Sequence, residues 1–107
     1  MDKSIITIKQ AHSIENVISK SRFIAYIKPV STENEAKAFI DEIKTKHKDA
    51  THNCSAYTVG PEMNIQKAND DGEPSGTAGI PMLEILKKQE IHNVCVVVTR
   101  YFGGIKL

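Results

Sequence analysis

Apolar and polar positions along this chain change period several times, and each change marks a predicted element. Ile5-Ile6-Thr7-Ile8 and Phe23-Ile24-Ala25-Tyr26-Ile27 are rich in β-branched and aromatic residues that suit a pleated strand, the second closed by Pro29. Between them, Ser13 to Lys20 fits a strand paired in a hairpin. From Thr32 the period lengthens. Ala36, Phe39, Ile40, Ile43 and His47 recur at helical spacing behind the capping box Thr32-Glu33-Asn34-Glu35, with Lys44, Lys46 and Lys48 at the negative end of the dipole. A helix is therefore expected over 33–48. Cys54 to Val59 returns to strand character, Gly60-Pro61-Glu62-Met63-Asn64 reads as its turn, and Ile65 to Ala68 as a short return strand. Ile80 to Gln89 is apolar over a broad face, with Pro81 tolerated in the first turn, so a largely buried helix is expected over 79–89. Val94-Cys95-Val96-Val97-Val98 is apolar at every position, which calls for a central strand covered on both sides or lying deep in the sheet.

Composition narrows this to one domain. The 107 residues are 40% hydrophobic and 25% charged, enough for a modest core and unlike a disordered chain. A formal net charge of +1 does not announce a nucleic-acid binder, so any basic surface has to be local. Met1-Asp2-Lys3-Ser4 has no apolar signal core, and Val94 to Val98 is far too short to span a bilayer; the expected compartment is the cytoplasm, with no membrane partner. Cys54 and Cys95 lack metal-type spacing and read as buried reduced thiols. Gly103-Gly104-Ile105-Lys106-Leu107 leaves the central strand through a glycine pair without a cap, so the chain reads as a fragment of a longer protein.

Candidate chemistry concentrates between Asn69 and Pro81, where three acids, three glycines and two hydroxyls fall together. Ser75, Gly76 and Thr77 sit where a helix begins, so clustered amide donors would suit an anion. Asp70, Asp71 and Glu73 would repel that anion unless a cation intervenes, and a divalent metal held by them is the enzymatic version of the loop. No Walker lysine follows the glycines, which excludes an ordinary P-loop. The alternative is a rigid turn whose carboxylates cap backbone amides or the following helix. Arg100-Tyr101-Phe102-Gly103-Gly104 is the better nucleic-acid signal, because an arginine beside an exposed ring can hold a phosphate and stack a base. Arg22 and Lys106 would add phosphate contacts, and Lys20, Lys46 and Lys48 would extend the basic surface. Against this stands an ordinary strand end with Arg100 paired to Asp70 or Asp71. His52 and Cys54 share a strand face about 6 to 7 Å apart, too far for a ready Cys-His nucleophile. His52 and Asn53 fix the strand entrance, or share a groove with the acidic loop. His12, His47 and His92 stand alone as surface or capping residues.

Four blocks in order then carry a family resemblance: Ser21-Arg22-Phe23-Ile24-Ala25, His47-Lys48-Asp49-Ala50-Thr51-His52-Asn53-Cys54-Ser55-Ala56-Tyr57, Asp70-Asp71-Gly72-Glu73-Pro74-Ser75-Gly76-Thr77-Ala78-Gly79 and Val96-Val97-Val98-Thr99-Arg100-Tyr101-Phe102-Gly103-Gly104-Ile105-Lys106-Leu107. Together they span almost the whole chain and resemble the signature of the IMPACT family, in its bacterial YigZ/YvyE branch. The resemblance implies an amino-terminal α/β domain over 1–107, an α+β sandwich of the ribosomal protein S-five domain-two type, with helices packed on one face of a mainly antiparallel sheet. It also implies a second, ferredoxin-like domain that this chain lacks. Eukaryotic members regulate translation under amino-acid stress. The expectation is thus a non-catalytic, translation-associated module that binds RNA or the ribosome and needs no cofactor, its oligomeric state open. Two alternatives stand beside it: a metal-dependent hydrolase or phosphoryl-transfer enzyme built on Asp70, Asp71 and Glu73, and a protein-interaction domain of a stress-response regulator.

Overall fold

The computed structural model describes residues 11–18, 21–72 and 79–101, the side chains of Ile18 and Ile80 excepted. The strand expected at Ile5 to Ile8 lies outside them. In chain order the elements are β1 (His12–Ile18), β2 (Ser21–Pro29), α1 (Glu33–Lys46), β3 (His52–Val59), β4 (Ile65–Asn69), α2 (Gly79–Lys88) and β5 (Val94–Tyr101). The strands form one five-stranded sheet in the order β1-β2-β5-β3-β4, every neighbouring pair antiparallel.

Local chemistry sets the element ends. The Thr32 hydroxyl accepts the Glu35 amide at 3.1 Å, and the Glu35 carboxylate accepts the Ser31 amide at 2.6 Å, one residue earlier than in the usual capping box. Ala36, Phe39 and Ile43 then fall on one stripe and bury against Tyr57, Val59, Cys95 and Val97. Val94–Tyr101, last among these strands in sequence, lies in the middle of the sheet, flanked by β2 and β3.

Successive strand residues face opposite sides, and this decides where the helices go. Tyr57 and Cys95, paired in register, face α1. Their neighbours Ala56 and Val94 bury instead with Leu86 of α2. The helices therefore lie on opposite faces of the sheet, not on one face as expected. The apolar run from Val94 to Val98 already contained the reason: a strand with no polar face has to be covered twice. Both cysteines are free thiols and buried, and burial pushes the Cys95 thiol up to about 12, where it is inert.

Candidate functional site

Two groups of residues assemble where β2, β3 and β5 end, one on each face. On the α1 face, Arg22 lies opposite Tyr101 in the ladder and places its guanidinium 5.2 Å from the centre of that ring, while its Nε pairs with Glu15. Lys46 sits 5.4 Å from the ring centre of Tyr26. Between the two phenols stands His47, the C-cap of α1, which is 9% exposed. Its Nε2 is 2.6 Å from the Tyr26 hydroxyl and its Nδ1 is 2.7 Å from the Tyr101 hydroxyl. Tyr101 donates to Asp49 at 3.2 Å, so it accepts from His47, and the ring carries its proton on Nδ1. Tyr26 then donates to Nε2. The result is a one-way chain of hydrogen bonds ending at the exposed Asp49. His47 was expected to stand alone as a surface or capping residue; it is the C-cap of α1, but it is buried and bonded to two tyrosines. The signal was its place four residues after Ile43 on the apolar stripe.

Burial, and then Lys46 and Arg22, lower the His47 pKa, against a smaller opposing pull from Asp49 and Glu15. In the unfolded chain a histidine titrates near about 6.5, so the unfolded state takes up its proton first as pH falls. Stability from this group is complete above that value and is lost as pH drops below it. Thermal melts between pH 7.5 and 5 should show Tm falling, with a shallower fall in His47→Gln; equal slopes would assign the effect to other groups.

On the opposite face, Arg100 faces His52 across the ladder and lies 5.4 Å from the centre of the Phe23 ring. The ring beside Arg100 is thus Phe23, whereas Tyr101 faces the other side of the sheet with Arg22. A single patch joining Arg22, Arg100 and Tyr101 is not formed. Phe102, Gly103, Gly104 and Lys106 lie outside the described residues, as do Glu73, Ser75, Gly76 and Thr77.

The acidic turn is bound into the fold. Asp70 Oδ1 accepts the Gly79 amide at 2.6 Å and so caps the start of α2, while Asp71 Oδ2 accepts the Asn53 amide at 2.7 Å. Lys44 lies 3.7 Å from the other Asp71 oxygen. Asp71 and Gly72 both have left-handed backbone, at φ of 48° and 92°, and the turn carries the Asp71 carbonyl to within 2.8 Å of His52 Nδ1, which donates to it. Cys54 Sγ donates to the Asp70 carbonyl at 3.2 Å. The candidate groove at His52, Asn53, Asp70 and Asp71 is accordingly occupied by the protein's own contacts. Asn53 shows this most fully: its amide side chain donates to the His47 carbonyl at 3.2 Å and accepts from Thr99 at 2.6 Å. Among the described residues, no three His, Cys, Asp or Glu side chains converge to hold a metal ion, so the metal-enzyme alternative gains nothing from the geometry.

An antiparallel sheet clothed by one helix on each face, with a cationic and aromatic cluster at its strand ends, defines a mixed α/β domain. Residues 19–107 match the Impact N-terminal domain, and the chain belongs to the IMPACT family. It is 64% identical to the IMPACT family member YvyE of Bacillus subtilis over 97% of this chain and 48% of that protein. Its fold resembles the crystal structure of a hypothetical protein with a TM-score of 0.84, at 39% identity, covering 92% of this chain and 48% of that one. It also resembles the two-domain translational regulator Yih1 with a TM-score of 0.59, at 32% identity, covering 86% and 36%. The chain thus spans about half the length of the bacterial relative, 48%. Among the described residues no helix is long and apolar enough to cross a membrane.

Proposed function

We propose that this chain is a non-catalytic, translation-associated regulatory module that works in the cytoplasm by contacting RNA or the ribosome. The observation that carries the reading is the likeness to a two-domain translational regulator over 86% of the chain. The finer kinship to the second domain of ribosomal protein S-five belongs to the same proposal and is supported by the antiparallel sheet backed by α1. Arg22 and Lys46, each beside a tyrosine ring on the α1 face, are the phosphate contacts, and Arg100 beside Phe23 serves a strand crossing to the other face. The Ser75-Gly76-Thr77 turn would add backbone donors, and Phe102, Gly103, Gly104 and Lys106 would extend the strand end. A protein-interaction domain would present a broad apolar patch; among the described residues the large exposed apolar side chains are Ile14, Val17 and Ile85, of which Ile14 and Val17 point to opposite faces of β1 and Ile85 lies on α2.

Co-sedimentation of the full-length protein with ribosomes across a salt series tests this. Binding should weaken as salt rises, and Arg22→Ala should weaken it roughly tenfold at fixed salt without moving Tm, Arg22→Lys recovering part. Salt-independent binding, or binding unchanged in Arg22→Ala, would overturn the assignment. If Arg100→Ala lowers Tm and leaves binding by the folded protein intact, Arg100 is a structural clasp.

A further inference from the structure

A groove of about 390 Å³ runs between α1 and the β3–β4 hairpin, away from the strand-end cluster. It exists because α1 turns Phe39 and Ile43 onto β3 and β5 and leaves β4 uncovered on that face. Lys37, Ile40 and Asp41, spaced to lie on one side of the helix, form the wall. Ser55 and Asn69, directly opposite each other in the ladder, form the floor with Lys67, two residues from Asn69 on the same face.

The donors of this groove are unused. Ser55 is 4% exposed, and its hydroxyl has no hydrogen-bond partner among the described residues. Its oxygen opens into the groove. Neither Lys37 nor Lys67 takes part in an ion pair among the described residues. Asn69 accepts the Asp71 amide at 2.7 Å through its side-chain oxygen, which leaves its NH₂ as a donor. Four donor groups, two of them cationic, thus face a space of ligand size with a single carboxylate, Asp41, on its wall.

We propose that this groove binds a small phosphomonoester, with its terminal oxygens accepting from Lys67, Ser55 and Asn69, its charge balanced by Lys37, and a hydroxyl of its sugar donating to Asp41. Phosphate fits better than carboxylate because it offers three strong acceptor oxygens and close to two negative charges near neutral pH, matching both ammonium groups and the neutral donors. Asp41 excludes a bare polyanion and selects a ligand that carries a donor behind its phosphate. The Ser55 hydroxyl, which has no partner within the described residues, donates to the phosphate in place of water.

The site is independent of the ribosome reading, and the test keeps them apart. Amide shifts of the full-length protein would be followed by NMR during titration with ribose 5-phosphate and with adenosine 5′-monophosphate, ribose and glutamate serving as controls. Saturable shifts at Ser55, Lys67 and Asn69 with a phosphate ester, and none with ribose, are expected. Ser55→Ala, which removes no existing hydrogen bond, and Lys67→Gln should each weaken binding about tenfold, while Arg22→Ala leaves it unchanged. Tighter binding of the nucleotide would assign a nucleoside phosphate; equal binding would assign a sugar phosphate. Absence of saturable shifts, an equal response to glutamate, or indifference to both groove variants would overturn the proposal.

Discussion

Asn53→Ala should lower the unfolding free energy by roughly 1 to 3 kcal/mol, seen as a lower midpoint in urea with an unchanged slope. Asn53 is 6% exposed and joins three elements at once: α1 through the His47 carbonyl, β5 through Thr99, and the acidic turn through its own backbone amide. Alanine keeps the last of these, leaves the Thr99 hydroxyl without a partner in a site closed to water, and takes from the His47 carbonyl one of its two donors, the Ala50 amide at 3.0 Å remaining. The orphaned hydroxyl costs about 1 to 3 kcal/mol, more than the net value of the bond it replaces. The loss also loosens the histidine between the two tyrosines, because Asn53 holds the backbone from which that ring projects. A midpoint shift equivalent to less than about 1 kcal/mol would mean that the neighbours re-pair on their own.

Gly79→Ala should also destabilise, against the ordinary preference of a helix for alanine by about 1 kcal/mol. A Cβ at Gly79 would lie 2.7 Å from the Asn69 nitrogen and 2.9 Å from both its carbonyl carbon and its oxygen. These are backbone atoms of β4 and cannot swing aside, so α2 would have to back away from the strand and weaken the cap from Asp70. The expected cost is about 1 to 3 kcal/mol or more after the gain in propensity. Glu84→Ala, on the exposed side of the same helix, should stay within about 0.5 kcal/mol of wild type. Equal behaviour of the two variants would remove the steric argument.

Most of the elements were legible in the sequence because their signals are local. A capping box, a helical stripe and alternation flanked by turn residues placed the two helices and the four strands of the described residues that the pattern named most clearly, and the less regular Ser13 to Lys20 segment forms β1 over His12–Ile18. The side of the sheet on which each helix packs is not local. It follows from the register that pairs Tyr57 with Cys95 and Thr58 with Val94, and that pairing joins residues far apart in sequence. The site was legible in residue type and less so in arrangement. Arg100 and Tyr101 looked like one unit because they are adjacent, yet adjacency in a strand separates side chains onto opposite faces. The acidic turn offered either ligand chemistry or carboxylates that cap backbone amides, and Asp70 and Asp71 do the second. The Ser55 groove gave no sequence signal: one serine in a strand and two lysines on other elements become a site only after the hairpin has folded beside α1.

The central position of β5 has a consequence for how the sheet is assembled. Its two flanking hairpins, β1–β2 and β3–β4, are each closed by short connections, whereas β2 and β3 share no hydrogen bonds with each other. Among the described residues, every ladder bond between the halves passes through residues 94 to 101, paired as far back as Arg22. Until those residues have emerged during synthesis, the two hairpins of the described residues have no strand between them to pair with. The order of translation therefore sets the order of folding: local hairpins first, and the strand that unites them last.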